Sequence, residues 1–110
     1  MSELKVHDLA QFEGVLQKPR VLLFKHSTTC PISAAAYAEY EAFCAAEPDA
    51  TTALVLVVED RAAARGIAER SGVRHESPQA ILFVNGRAVW HASHQHITAA
   101  SLGAAWREHG

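Results

Sequence analysis

Two runs of branched apolar residues set the limits on what this chain can become. Val21-Leu22-Leu23-Phe24 and Ala53-Leu54-Val55-Leu56-Val57-Val58 show no polar alternation. As strands they need cover on both faces, the situation of strands inside a parallel arrangement flanked by helices. Each is followed by a helix-forming stretch. Residues 33–44 (Ser-Ala-Ala-Ala-Tyr-Ala-Glu-Tyr-Glu-Ala-Phe-Cys) favour helix by propensity, with Ile32, Ala36, Tyr40, Phe43 and Cys44 toward the core, and Pro48-Asp49 closes the element. After the second run, Asp60 stands where an N-cap is needed, Ala64, Ile67 and Ala68 form an apolar face, and Gly72 supplies a left-handed stop.

The flanks complete the order. Asp8 with Gln11 three residues on reads as a helix start, and Leu9, Phe12, Val15 and Leu16 follow at helical spacing. Asn85-Gly86 between residues 80–84 and 87–91 is a strong hairpin signal, so those two runs are expected as antiparallel neighbours. Thr98 caps a last helix in which Leu102 and Trp106 share a face. A βαβ unit, a helix, a ββ hairpin and a final helix make an α/β domain. The expected architecture is a mixed central sheet of about four strands flanked by helices, in the thioredoxin-like order, with an extra N-terminal helix.

The bulk properties exclude several classes. A chain of 110 residues, 49% hydrophobic and 20% charged, is expected to form one domain over residues 1–110, with no second one. Ten Lys and Arg against twelve acids give a net charge of −2 without any basic run, so nucleic acid is not an expected partner. Met1-Ser2-Glu3-Leu4-Lys5 has neither a basic n-region nor an apolar h-region, and no run is long enough to span a bilayer. A soluble, cytoplasmic monomer with no membrane contact is the expectation.

The chemistry is concentrated between the first apolar run and its helix, in His26-Ser27-Thr28-Thr29-Cys30-Pro31-Ile32-Ser33. A cysteine where a strand hands over to a helix meets unpaired N–H groups and the positive end of the helix dipole, both of which favour thiolate, the reactive form. Pro31 fits the first helical turn, where a missing N–H costs nothing. Ser33 stands where a Cys-x-x-Cys motif would carry its second sulfur. About one turn from Cys30, its hydroxyl is placed either to donate to the thiolate or to serve as an ordinary first-turn serine. Thr28 and Thr29 are placed to hydrogen-bond the sulfur or to cap the helix, and capping is expected of at least one. Lys25 and His26 add charge nearby, although a lysine at a strand end is ordinarily solvated.

Cys44 is read as a small core residue. If both cysteines belong to one helix, their separation is roughly 20 Å, far beyond disulfide reach. His91, His94 and His96, with His75 elsewhere, suggest a metal site only weakly, since no carboxylate accompanies them at ligand spacing, and no metal is expected.

Phe24-Lys25-His26-Ser27-Thr28-Thr29-Cys30-Pro31-Ile32-Ser33, with Ser77-Pro78-Gln79 and the Asn85-Gly86 hairpin, resembles the monothiol bacilliredoxin family of the bacillithiol system, over residues 9–106. The resemblance implies a thioredoxin-like fold, a nucleophilic Cys30, and removal of bacillithiol from mixed disulfides on other proteins. It also implies that Pro78 is a cis proline facing Cys30. The Ser77 backbone would then be free to pair with a substrate chain, with Thr29 and Pro31 completing the binding surface. No cofactor is bound; bacillithiol acts as co-substrate, and the partners are bacillithiolated proteins and a low-molecular-weight thiol. The competing readings are a monothiol protein using glutathione or coenzyme A, and a non-catalytic module that presents the Ser77-Pro78 edge to a partner.

Overall fold

A computed structural model describes residues 2–110. Nine regular elements follow in chain order: β1 (Ser2–Lys5), α1 (Leu9–Val15), β2 (Arg20–His26), α2 (Pro31–Ala46), β3 (Thr51–Leu56), α3 (Arg61–Ser71), β4 (Gln79–Val84), β5 (Arg87–Ser93) and α4 (Ala99–Glu108), with a 3₁₀ turn at His94–His96 before the last helix. They form one five-stranded sheet in the order β1-β3-β2-β4-β5. β1 and β2 run parallel to β3, while β4 is antiparallel to both β2 and β5.

The alternation of side chains across this sheet explains the unbroken apolar runs. Leu22, Phe24, Leu54, Ala80 and Leu82 pack with Tyr40, Phe43, Leu102 and Trp106, so one face is covered by α2 and α4. Val21, Leu23, Ala53, Val55, Ile81 and Phe83 pack with Phe12, Val15 and Ile67, so the other is covered by α1 and α3. With both faces dry, each large aliphatic or aromatic side chain of β2 contributes on the order of 1.5–3 kcal/mol of burial.

β1 is the strand beyond the four expected from sequence. Ser2 to Lys5 pair with Thr51 to Leu54. Leu4 is the single apolar residue among these four, and Glu3 and Lys5 bond each other at 2.7 Å along the edge, so the segment carries no strand period to read. Charged residues on an edge strand also discourage further pairing. Tyr40 of α2 donates to Glu3 at 2.7 Å and fixes β1 from the helical layer.

Most turn and cap signals behave as their chemistry requires. Asn85 and Gly86 both have positive φ (52° and 81°), the combination a two-residue hairpin turn demands. Gly72 closes α3 at φ 75°. Thr98 and Ser101 form a reciprocal capping box on α4. Asp60 occupies the N-cap position of α3 but makes no capping bond; its carboxylate lies 2.9 Å from His7 Nδ1 instead. Ile32, expected toward the core, points outward and is 56% exposed.

Candidate active site around Cys30

The C-terminal end of β2 delivers residues 27–30 to the start of α2. Cys30 is the N-cap residue in extended conformation (φ −107°, ψ 122°), and Pro31 is the first helical residue. The loop closes on itself through Cys30 N–H donating to the Ser27 carbonyl at 3.3 Å, and the helix begins with Ala34 N–H donating to Cys30 C=O at 3.0 Å. No side chain caps α2. Neither Thr28 nor Thr29 takes that role, contrary to the sequence expectation. Both are exposed, and the Thr29 hydroxyl lies 3.4 Å from that of Ser27. The first-turn N–H groups are therefore left without a side-chain acceptor beside Cys30, which is partly exposed.

Ser33 is fully buried, and its surroundings correct the idea of a hydroxyl aimed at the thiolate. Its Oγ accepts from Ser27 N–H at 2.9 Å and lies 2.8 Å from His26 Nδ1. Burial holds the His26 imidazole below its ordinary value, against the opposing pull of Glu59 and Glu41, so the ring is neutral at pH 7. With Oγ already accepting from Ser27 N–H, the Ser33 O–H is free to donate to Nδ1 of the neutral ring. Ser33 thereby ties the strand end to the loop. The His26 ring also stacks on Tyr37 at 4.6 Å between centroids, and Phe24 stacks on Tyr40 at 4.8 Å beneath it.

Ser77 and Pro78 approach from the neighbouring strand. The Ser77-Pro78 peptide is cis. Lys25 pairs with Gln79 across β2 and β4, which sets Pro78 level with the strand end that leads to Cys30. On its other side the Pro78 carbonyl accepts from His94 N–H at 3.2 Å. His94 itself, with φ 53°, lines a groove of about 510 Å³ together with Pro31, Ile32, Ala35 and Ile97. Pro31 and Ile32, the residues that follow Cys30, thus share this groove with His94, whose N–H ties it to the buried Pro78. The Ser77 Oγ is shielded and has no hydrogen-bond partner among the described residues.

Lys25 is where the sequence reading departs most from the structure. It has no accessible surface at all. Its Nζ donates to Gln79 Oε1 at 2.9 Å and lies 3.1 Å from His75 Nδ1, and burial pulls the ammonium down to about 8. The signal was its parity. In a strand covered on both faces, the residue after Phe24 points to the second buried face, so a lysine there is buried unless the strand has already ended.

Cys44 packs in the core beside Tyr40, and burial pushes its thiol up. It forms no disulfide with Cys30; both are free. His91, His94 and His96 do not converge: among the described residues no three His, Cys, Asp or Glu side chains gather as a metal would require. The carboxylate that does approach them is Glu76, 3.8 Å from His94 Nδ1.

A family model described as monothiol bacilliredoxin BrxC matches residues 4–102. The chain belongs to the monothiol bacilliredoxin family. A solved thioredoxin-fold structure, described as a candidate oxidoreductase, is 40% identical with a TM-score of 0.87, covering 94% of this chain and 93% of that one. Mitochondrial thioredoxin 3 of Saccharomyces cerevisiae is 16% identical with a TM-score of 0.75, over 96% and 93% of the two chains. Fasciola hepatica thioredoxin is 17% identical with the same TM-score, over the whole of both chains. The last two speak to the fold alone. The bacilliredoxin match and the 40% identical oxidoreductase structure make this protein a thioredoxin-fold thiol oxidoreductase, in which the second cysteine of a Cys-x-x-Cys pair is replaced by Ser33. Among the described residues no helix is long and apolar enough to cross a membrane.

Proposed function

We propose that this bacilliredoxin removes bacillithiol from mixed disulfides on cytoplasmic proteins. The Cys30 thiolate attacks the bacillithiol sulfur of a protein–S–S–bacillithiol bond. A Cys30–S–S–bacillithiol bond forms, the old disulfide breaks, and the protein sulfur leaves as thiolate and takes a proton. A second thiol then attacks the bacillithiol sulfur held on Cys30. Cys30 departs as thiolate, and the two electrons come from the incoming thiol, which ends in a disulfide with bacillithiol.

The observation that carries this reading is the pairing of a partly exposed Cys30 at an uncapped helix start with Ser33 where a resolving sulfur would stand. A hydroxyl cannot displace sulfur from sulfur, and Cys44 is buried at the far part of α2. The adduct therefore has to be resolved from outside. Pro31, Thr29 and the Ser77-Pro78 turn supply the surface on which the substrate chain lies, and Ser33 holds the loop that presents Cys30.

The test is intact-mass analysis of wild type and Cys30→Ala, each mixed with a bacillithiolated protein and, in parallel, with a glutathionylated one. Transfer of the bacillithiol adduct to wild type alone, with poor glutathione transfer, supports the proposal. Preferential glutathione transfer moves the activity to another low-molecular-weight thiol. No transfer of either adduct removes Cys30 as the exchange nucleophile and leaves a binding module.

A further inference from the structure

A lysine with no accessible surface inside a strand of Val, Leu and Phe requires an explanation, because burying an ammonium costs more than burying a methylene chain of the same volume. Stability does not supply one, since an apolar residue at this position of β2 would pack at least as well. What the ammonium does have is a set of partners on one segment. Its Nζ donates to Gln79 Oε1 and lies within hydrogen-bond distance of His75 Nδ1, at 2.9 and 3.1 Å. The Gln79 amide in turn donates to the Arg74 carbonyl at 2.9 Å and accepts from Glu76 N–H at 3.4 Å. Residues 74, 75, 76 and 79 thus gather around one buried amine, and between them stands Ser77-Pro78.

The same amine belongs to β2, whose next residues, 26–30, run directly to Cys30. We propose that Lys25 is a positioning residue for thiol exchange: through Gln79 and His75 it holds the segment carrying Ser77-Pro78 at a fixed offset from the strand that carries Cys30. Protein substrates need both surfaces at once, the cysteine to react and the Ser77-Pro78 turn to hold the chain. Small reagents need only the cysteine. The groups around the amine fit this role. Partial desolvation of the His75 ring, then Lys25 and Arg65, hold the imidazole below its ordinary value against the opposing pull of Glu76, which leaves a ring nitrogen able to accept from the ammonium. Glu76 interacts with Ser93, His94, Arg74 and His91, and with His75 beside the amine, but forms no ion pair with Lys25 among the described residues. Removing the amine takes the shorter of two donors from Gln79 Oε1, leaving only Glu76 N–H at 3.4 Å, and removes the donor beside His75 Nδ1, so the segment loses its anchor on β2.

The inference rests on Cys30 being the exchange nucleophile, so the experiment includes readouts that survive the failure of that reading. Wild type, Lys25→Met, His75→Ala and His75→Gln are compared in KM and kcat on a protein mixed disulfide, in the rate of Cys30 alkylation by iodoacetamide, and in amide hydrogen exchange of residues 74–77. Lys25→Met is expected to raise KM about tenfold, the worth of one net hydrogen bond to a charged donor. His75→Ala should raise it about threefold, and His75→Gln, which restores an acceptor, should return it close to wild type. Alkylation stays within about twofold throughout, and exchange at residues 74–77 accelerates about tenfold in Lys25→Met. Wild-type KM and wild-type exchange in a folded Lys25→Met protein would overturn the proposal. So would an equal loss in alkylation, which would place the lysine's effect on the thiol itself. His75 lies at the surface, so if Lys25→Met fails to fold, unchanged KM and exchange in His75→Ala decide against it. If wild type turns over no mixed disulfide of any thiol, the exchange reading fails by that result, and hydrogen exchange alone decides whether Lys25 anchors the segment.

Discussion

The Ser33 hydroxyl lies 2.8 Å from His26 Nδ1, which turns it toward the end of β2. The residue that replaces the second sulfur of a dithiol motif therefore works as a brace for the loop. Replacing Ser33 by Ala leaves Ser27 N–H and the imidazole nitrogen without their buried partner and should cost about 1–3 kcal/mol. Urea denaturation followed by fluorescence reads this. An unchanged midpoint would show that the brace contributes nothing.

Ser33→Cys converts the motif to Cys-x-x-Cys and should change the fate of the adduct. An internal thiolate one turn away competes with any thiol from solution. The mixed disulfide on Cys30, which the proposed function expects to persist in wild type, should drop below detection and be replaced by a protein two mass units lighter than its reduced form. Persistence of the adduct in Ser33→Cys would mean the two positions do not face each other.

The histidines give the fold an acid limit. Burial holds both His26 and His75 below the ordinary imidazole value of 6.5, so in this range the unfolded chain binds protons first. Stability is intact above that value and is lost as pH falls through it toward the lower folded-state values. Melting temperature measured between pH 7.5 and 5 should fall, and His26→Gln should flatten the slope. A slope identical in the variant would assign the effect to other groups.

Cys44 should behave as packing alone. In the folded protein iodoacetamide should modify Cys30 only, and a second equivalent should react after denaturation. Cys44→Ala should cost about 1–2 kcal/mol in stability and leave adduct transfer as in wild type. Mass mapping of the modified peptides checks the first point.

Ile32 is a large apolar residue left in water beside the cysteine, 56% exposed on the wall of the groove it shares with Pro31 and His94. Ile32→Glu should change stability by no more than about 0.5 kcal/mol while raising KM for a protein mixed disulfide severalfold. Equal kinetics in the two proteins would remove the groove from the substrate surface.

Most of the fold was legible because it depends on local chemistry. Unbroken apolar runs at residues 21–24 and 53–58 announce strands covered on both faces, Asn85-Gly86 announces its turn, and Gly72 and Thr98 mark helix ends. β1 was not legible, since an edge strand of four residues with one leucine carries no period and is recruited by β3. At the site, Cys30 and Pro31 could be placed from sequence, and Pro78 through the family resemblance. The partners of Ser33 and Lys25 could not, because they come from residues 6, 7, 50 and 54 positions away along the chain, joined by register and packing. Threonines next to a helix start are ordinary caps; here the chain enters the helix one residue later, and Cys30 takes the cap position.

Cys44 shares a helix with Cys30 yet sits in the core without a bridge to it. A paired thiol stores an oxidising equivalent as a ring in its own chain, and ring closure narrows the unfolded ensemble, so such a protein changes stability each time it cycles. Cys30 and Cys44 are both free here, with Cys44 in the core. Under the proposed function the oxidised form carries a passenger rather than a new cross-link, and its load changes without the fold being tightened or relaxed by a ring.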